Sequence, residues 1–384
     1  MKQKVNGGAP KDDLPRLVVL SGRTEQAVES FLCEIGSQPV DVEYVRLLHE
    51  LHAEKLLNHP YRGYTIVENQ ISSNITSEID HYDGVRKPIC FVFSGIGSQW
   101  SGMGKALLRF PAFCETIEKC DTLLKIHGVH IIDILTSKQK VTLDCISNTV
   151  VSITAMQLGL IDLLMSVNVV PDYTIGHSIG KLCCGYITGD FTIEQMILSA
   201  YYIGLALEET KIAKYAMTDI GVSYKEAKIM CPVDIKVICS YSPDTCSIVG
   251  LRESIVAFTK KLEINKISYK EINCCNIPLH SCYIVPAREN ILAKLQWALP
   301  QKMMHKQKWC RLPCDYNISY AEYFTNNLVN PIFFENVAKM IPENTAFVEI
   351  APDGILQDVL NKIFDTTTIA LTQRHHEDNA KVFL

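Results

Sequence analysis

The sequence contains no block of basic residues, no long uninterrupted apolar run and no apolar segment near its start. Its formal net charge is −5 over 384 residues. Nucleic acids and anionic membranes bind clustered lysine and arginine, so the composition favours neither as a partner. A membrane span needs roughly 18 apolar residues in succession, and the opening MKQKVNGGAPKDD lacks the apolar core of a signal peptide. We therefore expect a soluble, cytoplasmic protein.

Metal-binding spacing is also missing, although the chain has 15 cysteines. They are scattered, without the repeated CxxC units that bind zinc, and we interpret them as reduced thiols. The nearest approach to a metal pattern is Cys310 and Cys314 with His305 nearby. We interpret this stretch as a loop with two incidental cysteines, so the sequence predicts no metal site.

Hydrophobic patterning, by contrast, is abundant, and 47% hydrophobic residues are enough to bury a full core. The pattern predicts a small α/β domain within residues 1–86, and a polar stretch at 69–87 is expected to connect its last strand to the next unit. The expected elements of this domain are strands at 16–20 and 64–68 and helices at 25–35 and 42–57.

Strands alternate with helices in residues 87–213 and in 277–384, which predicts a mainly parallel, hydrolase-like sheet covered on both faces. Residues 214–276 give the order βαββαβ, with the first helix expected at 224–230. This order is typical of an inserted ferredoxin-like subdomain. The expected fold class is therefore α/β, with the ferredoxin-like insert in a hydrolase-like core and the small α/β domain before it. The principal expected elements of the core are strands at 89–93, 173–175, 346–350 and 368–372, and helices near 105, at 151–167 and from 192 to 209.

The stretch TIGHSIGK contains Gly176-x-Ser178-x-Gly180, the pattern of a nucleophile elbow. Glycines on both sides of the serine let the chain turn sharply from a strand into a helix while the hydroxyl stays accessible. The same pattern fits a small residue in a glycine-rich turn. It therefore predicts a nucleophile only together with a base.

A serine hydroxyl needs a base to remove its proton, and His280 in NIPLHSCY lies where the chain leaves the predicted insert. A surface or capping histidine is the alternative at this position. An oxyanion also needs backbone donors, for which the amide of Ile179 and an amide of Gly95-Ile96-Gly97 are candidates. The latter stretch lacks the Gly-Lys-Ser/Thr ending of a phosphate loop.

Six blocks, in order, resemble the malonyl/acetyl acyltransferase region of animal fatty acid synthase. They are FVFSGIGSQWSGMG, GHSIG, CCGYITGD, PLHS, AEYFTNNLVNPIFF and EIAPDGILQDVL. LPRLVVLSGRT and YRGYTIV resemble the linker domain that joins ketosynthase to acyltransferase in that synthase. The related alternative is a polyketide synthase acyltransferase. The resemblance covers almost the entire chain, and it implies a fragment of a larger synthase.

The resemblance implies a two-step acyl exchange. Ser178 corresponds to the nucleophile that takes an acyl group from coenzyme A, and His280 to its general base, oriented by a backbone carbonyl near APDG. The amides of Ile96 and Ile179 correspond to the oxyanion hole, and Gln99 to a glutamine that lines the site. The implied acceptor is the phosphopantetheine thiol of an acyl carrier protein, with a ketosynthase as neighbour and no permanently bound cofactor.

One functional residue of that family is replaced. The family has an arginine 25 residues after the nucleophile that binds the malonyl carboxylate, and this chain has Ile203 there. Arginine makes two charge-assisted hydrogen bonds to a carboxylate, and isoleucine makes none. An unpaired buried carboxylate costs roughly 3 to 5 kcal/mol, which predicts weakened selectivity for malonyl groups. Ile203 also continues an apolar helix face, so a plain core role is the alternative.

Three further positions differ from the family. Lys181 stands where an acid usually follows the elbow, and a solvated helix position is its alternative role. Tyr241 replaces a small amide residue, and Leu279 replaces a phenylalanine just before the histidine. Tyr241 and Leu279 therefore join Gln99 and Ile203 as expected substrate-binding residues.

Three hypotheses follow from the sequence. The first is an acyltransferase of fatty acid synthase with altered acyl selectivity. The second is a catalytically degenerate homologue that serves as a scaffold beside a ketosynthase. The third is a serine hydrolase, which would need a late acid and a late histidine such as His375 or His376.

Overall fold

A computed structural model of the chain describes residues 10–53, 56–68, 76–299 and 318–384. His305, Cys310 and Cys314 lie outside the described residues. The chain forms two compact units, of which one comprises 1–87 with 377–384 and the other 88–376. The division predicted from the sequence differs in assigning the last eight residues to the acyltransferase part, and it stays a proposal.

The first unit contains an antiparallel sheet in the order β1-β2-β3 and two helices that pack on it. Alternate residues of β1 and one face of each helix form its core. β3 lies within residues 69–87, where the sequence analysis expected a connection without a strand, so that prediction was wrong at β3. β3 is an edge strand that pairs with β2, and its sequence, TSEIDH, is mostly polar. It therefore lacks the alternating apolar residues by which a strand is predicted. The elements are β1 (Arg16–Gly22), α1 (Glu25–Gly36), α2 (Val42–Ala53), β2 (Tyr61–Val67) and β3 (Thr76–His81).

The first half of the second unit alternates strands and helices as expected. Its elements are β4 (Ile89–Phe93), α3 (Pro111–Lys125), α4 (Ile131–Thr136), α5 (Ile146–Ser166), β5 (Tyr173–Gly176), α6 (Lys181–Ile187) and α7 (Ile193–Glu209). Among the described residues, α5 is the helix long and apolar enough to cross a membrane, and 83% of its most apolar window is buried inside the protein. α5 thus fits the core helix predicted at 151–167.

The helix predicted near residue 105 was wrong. Turns and a short 3-10 helix, Leu107–Arg109, occupy this stretch. A Cβ at Gly104 would lie 2.8 Å from that of Leu135, so the chain passes too closely here for most side chains. The regular helix α3 begins only at Pro111, whose fixed φ suits a first helical turn.

The insert is ferredoxin-like, as predicted. Its antiparallel strands run in the order β7-β8-β6-β9, with the two helices packed on them. α8 begins at a capping box in which Ser223 and Glu226 exchange hydrogen bonds, and the observed helix has the predicted bounds. The elements are β6 (Tyr215–Ile220), α8 (Tyr224–Met230), β7 (Ile235–Ser242), β8 (Thr245–Leu251), α9 (Arg252–Ile264) and β9 (Tyr269–Ile272).

The rest of the chain completes both sheets. Its elements are α10 (Arg288–Ala298), α11 (Tyr320–Val329), β10 (Ile332–Phe333), α12 (Phe334–Ala338), β11 (Ala346–Ile350), α13 (Gln357–Ile363), β12 (Thr368–Ala370) and, in the first unit, α14 (Asn379–Phe383). The described strands β12-β11-β4-β5 are all parallel, which confirms the predicted core. β10 pairs in parallel with β7 and so extends the sheet of the insert.

A buried carboxyl group, that of Glu349, lies near the end of β11 in the parallel sheet. Glu349 accepts hydrogen bonds from the hydroxyl of Ser94 and from the amide of Leu356. Burial raises the pKa of Glu349 to about 8, although both hydrogen bonds oppose the increase. The group is therefore protonated in the folded protein at neutral pH, whereas it is ionised in the unfolded chain.

We expect this mismatch to make stability depend on pH. Between about pH 5 and 8 the folded state binds one more proton than the unfolded state, so stability falls as pH rises. Relative to the uncharged variant Glu349→Gln, the wild type should lose roughly 1.4 kcal/mol of unfolding free energy per pH unit in this window. Urea unfolding of both proteins at pH 5, 6.5 and 8 measures the difference, and parallel pH profiles would contradict it.

Candidate active site

Two loops at the carboxyl ends of neighbouring strands form the site. β4 and β5 pair in parallel, with Phe93 opposite Gly176, so the glycine-rich turn (residues 95–104) and the elbow (residues 176–180) leave the same edge of the sheet. A Cβ at Gly95 would lie only 2.8 Å from the Cβ of Ser178. The parallel pairing therefore brings together the two motifs that the sequence separates by some eighty positions.

The elbow has the strained geometry that exposes a nucleophile. Ser178 has φ +55°, in the left-handed region that non-glycine residues rarely adopt. Gly180 is required by close approach, because a Cβ there would lie 2.3 Å from the carbonyl oxygen of Phe93. A Cβ at Gly176 would lie 2.6 Å from the Cα of Lys181. The two glycines thus permit the sharp strand-to-helix turn.

The structure brings Ser178 and His280 together. Ser178 Oγ lies 2.6 Å from His280 Nε2, and both residues are about 95% buried. The other ring nitrogen, Nδ1, lies 2.8 Å from the carbonyl oxygen of Asn327 and 3.3 Å from that of Asn330. Carbonyl oxygens only accept, so Nδ1 carries the proton and Nε2 accepts from the serine hydroxyl. This is the arrangement of a nucleophile with its base.

The carboxyl end of α11 orients both groups, which the sequence analysis missed. Besides the contact to Nδ1, the amide of His280 donates to the carbonyl of Leu328 at 2.7 Å, and Asn327 Nδ2 donates to the carbonyl of Ser178 at 2.9 Å. The prediction that a carbonyl near APDG orients His280 was wrong. The last carbonyls of α11 lack helical partners and contact the imidazole instead. The sequence signal for this role was the stretch NNLVN, residues 326–330 of the block AEYFTNNLVNPIFF.

The environment of His280 keeps its imidazole neutral. Burial lowers the pKa of His280 to about 4, the hydrogen bond to Asn327 opposes the decrease, and the Lys181 ammonium adds to it. Burial also lowers the pKa of the adjacent His177 to about 3, with His280 and Lys181 contributing. A neutral imidazole accepts a proton, so His280 is in the form that a base requires throughout the physiological range.

We expect this lowered pKa to appear in the pH dependence of Ser178 acylation. A histidine of ordinary pKa would lose half of its base form near pH 6.5, whereas His280 should keep it down to about pH 4. The single-turnover rate of acylation by acetyl-CoA should therefore stay flat between pH 7.5 and 5.5. Circular dichroism at each pH controls for unfolding, and a halved rate near pH 6.5 would contradict the prediction.

The glycine-rich turn borders a cleft of about 570 Å³ that faces the insert. Ile96 and Gln99 line this cleft, together with Tyr241 and strand β9 of the insert. Gln99 Oε1 accepts from the amide of Gly97 at 2.7 Å, and its Nε2 donates to the carbonyl of Asn273 at 3.1 Å. Gln99 is thus placed beside the proposed oxyanion turn, where it also joins that turn to the insert.

Tyr241 is buried against His177, the residue that precedes the nucleophile, and it also lines the cleft. Its ring lies 5.2 Å from the ring of His177, and His177 Nε2 lies 3.6 Å from Cys239 Sγ. Leu279, directly before the base, is buried too. Tyr241 therefore lies on the insert's side of the site, and its role in binding substrate stays a prediction.

Ile203 and Lys181 lie on the helices that follow the elbow. Ile203 is 1% exposed on α7, which packs mainly against α5 and α10. It does not line the cleft of about 570 Å³. Lys181, the first residue of α6, borders a second cavity of about 270 Å³ with Tyr323 and Asn327. Lys181 thus lies near the end of α11, whose backbone carbonyls contact the base.

Several acyltransferases of known structure share this fold. The acyl transferase domain of SpnD in complex with 2-(pent-4-yn-1-yl)malonyl has a TM-score of 0.79 at 14% identity, covering 98% of this chain and 95% of that one. The acyltransferase domain from module 8 of the salinomycin polyketide synthase has a TM-score of 0.77 at 17% identity, covering 96% and 93%. Malonyl CoA-acyl carrier protein transacylase from Clostridium perfringens has a TM-score of 0.64 at 17% identity, covering 75% and 94%. At these identities the similarity establishes the fold.

Residues 90–384 match the family described as acyl transferase domain, and residues 1–66 match the ketoacyl-synthetase C-terminal extension. The chain therefore belongs to the acyl transferase domain family. Curated relatives include the low-reducing polyketide synthase drtA of Aspergillus calidoustus, 24% identical over 92% of this chain, and the highly reducing polyketide synthase srdA of Neurospora crassa, 25% identical over 93%. The chain spans 16% of the length of each. The acyltransferase resemblance is confirmed, whereas its restriction to animal fatty acid synthase is not.

Proposed function

We propose that this chain transfers an acyl group from coenzyme A to the phosphopantetheine thiol of an acyl carrier protein through an ester on Ser178. The observation that carries the proposal is the 2.6 Å contact between Ser178 Oγ and the unprotonated Nε2 of His280. A similarly folded protein, a malonyl-transacylase, has been solved in complex with an acyl-carrier protein. That complex supports the choice of partner.

In the first step His280 Nε2 takes the hydroxyl proton while Ser178 Oγ attacks the thioester carbonyl. The amides of Ile96 and Ile179 are the proposed donors to the resulting oxyanion. Collapse breaks the carbon–sulfur bond, and the coenzyme A thiolate leaves with the proton held by His280. In the second step the carrier thiol gives its proton to His280 and attacks the ester carbonyl. The ester bond to Ser178 Oγ then breaks, and His280 returns the proton to that oxygen, which restores the serine hydroxyl and the neutral imidazole.

The end of α11 supplies what an acidic third member of a triad supplies elsewhere. The carbonyl of Asn327 fixes the tautomer of His280 and faces the positive charge that develops on the ring. The negative end of the helix dipole acts in the same direction. No carboxylate is needed for this step.

We further propose that the site favours uncharged acyl groups such as acetyl. On the sequence resemblance, Ile203 stands where the family has an arginine that binds the malonyl carboxylate, and its apolar side chain is 1% exposed. A fatty acid synthase remains our proposal for the parent protein on the six sequence blocks, with a polyketide synthase as the alternative. The match of residues 1–66 supports a neighbouring ketosynthase, and composition supports a cytoplasmic location.

The two other hypotheses have less support. A degenerate scaffold would account for Ile203 and Lys181, but it gives no reason for the retained contact between Ser178 and His280. A serine hydrolase would use a late histidine, yet His375 lines the cleft while His280 occupies the position of the base.

Intact-protein mass spectrometry tests the proposal. The chain is incubated separately with acetyl-CoA and with malonyl-CoA, and the mass is measured for an acyl adduct that Ser178→Ala abolishes. Strong acetyl labelling with little malonyl labelling supports the proposed selectivity. No adduct from either thioester would favour the scaffold, and rapid loss of the adduct to water without a carrier would favour the hydrolase.

A further inference from the structure

Arg374, near the end of the second unit, directly contacts the glycine-rich turn. Its Nη2 donates to the carbonyl oxygen of Gly97 at 2.7 Å and to that of Gln99 at 3.0 Å. Both carbonyls belong to the turn that carries Ile96, whose amide is the proposed oxyanion donor. The guanidinium therefore holds the backbone directly after that amide.

Arg374 is itself fixed by Asp353 in the APDG segment. The amide of Arg374 donates to Asp353 Oδ1 at 2.9 Å, and its Nε lies 3.3 Å from Asp353 Oδ2. Nearby, Trp100 Nε1 donates to the carbonyl of Pro352 at 2.6 Å. Two side chains thus join the glycine-rich turn to the segment that follows β11.

The segment after β11 is held in place relative to the glycine-rich turn by strand pairing. β11 and β4 pair in parallel along their full lengths, with Ile350 opposite Phe93. Asp353 and the glycine-rich turn therefore leave adjacent strands at the same sheet edge. Gly97 has φ +108°, a conformation that glycine adopts easily, but glycine adopts many other conformations as well. The glycine-rich turn therefore needs contacts from outside it to keep one conformation. Side-chain contacts to the segment that directly follows β11 restrain it.

We propose that Arg374 is a positioning residue for the oxyanion hole: with Asp353, it fixes the backbone of the glycine-rich turn so that the amide of Ile96 points at the developing oxyanion. The inference rests on the proposed function, because it assigns a role within that reaction. Arg374 does not touch the reacting atoms. Its contribution lies in the transition state, where a misdirected donor lowers the rate without weakening substrate binding.

Arg374 also lines the cleft and is 34% exposed, so a direct contact with an anionic part of the substrate would be a different role. The two roles make different kinetic predictions. A substrate contact that is equal in ground and transition states changes KM, whereas the positioning role changes kcat.

The test uses Arg374→Met and Arg374→Lys in the full chain. Loss of one oxyanion donor costs about 100- to 1,000-fold in other enzymes, and a displaced donor costs less, so Arg374→Met should lower kcat for Ser178 acylation about 30- to 100-fold. KM for acetyl-CoA should stay within about threefold. Arg374→Lys keeps a donor for the two carbonyls and should recover at least a third of the wild-type rate.

Arg288→Met is the matched control, because Arg288 is similarly exposed, at 37%, and pairs with a carboxylate at 2.8 Å. It should leave kcat unchanged. An unchanged kcat in folded Arg374→Met, or a raised KM with kcat intact, would overturn the proposal. If Arg374→Met fails to fold, Asp353→Asn decides: it should lower kcat at least threefold, and a wild-type rate in this variant would overturn the proposal.

A second probe separates this inference from the proposed function. A fluorophosphonate phosphonylates a serine nucleophile: the Ser178 Oγ–phosphorus bond forms, fluoride leaves, and the hydroxyl proton passes to His280. The reaction uses the same oxyanion donors but needs no acyl-CoA. Slower phosphonylation in Arg374→Met supports the positioning role even if the wild type takes no acyl group. Equal phosphonylation rates would reject it independently.

Discussion

Replacing His280 by alanine should lower the rate of Ser178 acylation on the order of 10⁴-fold, because the hydroxyl then has no base at 2.6 Å to receive its proton. The effect should be largely in kcat, since the imidazole is buried against the nucleophile and contributes little to binding. Quenched-flow acylation by acetyl-CoA, followed by intact mass, measures the rate. Removal of the histidine from a serine protease triad lowers kcat by about 10⁶-fold, so 10⁴-fold is a lower bound for the expected effect.

His127→Ala is a suitable control for this experiment. His127 lies in the same unit, stacks on Tyr201 with ring centroids 4.6 Å apart and does not line the cleft of about 570 Å³. Its removal should leave the acylation rate within about twofold, with both variants retaining the circular dichroism of the wild type. Acylation of His280→Ala within tenfold of the wild type would mean that another group acts as the base.

The second large effect concerns acyl selectivity at position 203. The wild type should load acetyl groups at least 100-fold faster than malonyl groups, because roughly 3 to 5 kcal/mol of carboxylate pairing is missing. Ile203→Arg should raise malonyl loading at least tenfold and leave acetyl loading equal or lower. The ratio of the two adducts, measured with equal concentrations of both thioesters, gives the result directly.

Ile203→Met, which keeps an apolar side chain of similar volume, should leave the ratio unchanged and so separates charge from shape. A melting curve of each variant is needed, because Ile203 is 1% exposed and an arginine there must reach a polar partner. Equal loading of malonyl and acetyl groups by the wild type would be enough to reject the idea, whatever the variants do.

The sequence was informative wherever side chains carry the pattern. α8 had its predicted bounds, because Ser223 and Glu226 form a capping box and the following residues are helix formers. The elbow was predictable since only glycine tolerates the contacts at positions 176 and 180. The proximity of Ser178 and His280 followed from the resemblance, and the structure places the two groups in contact.

Backbone groups explain what the sequence did not reveal. The partners of His280 Nδ1 are carbonyl oxygens, which every residue possesses, so nothing in the letters at 327 and 330 marks their role. The contacts of Arg374 to the glycine-rich turn are of the same kind. β3 was missed because an edge strand is specified by pairing with β2 rather than by its own apolar residues.

The two-residue strand β10 has a consequence for how the cleft opens. It lies beside β7 in the sheet of the insert, although it belongs to the chain segment that leads from α11 into α12. The insert is consequently attached to the core by its two chain connections and, in addition, by the pairing of β7 with β10. This third attachment restrains a hinge motion of the insert about its two connections, because such a motion would have to break the pairing. A chimera that exchanged the insert alone would expose a bare sheet edge, so a successful graft must carry residues 331–338 with it.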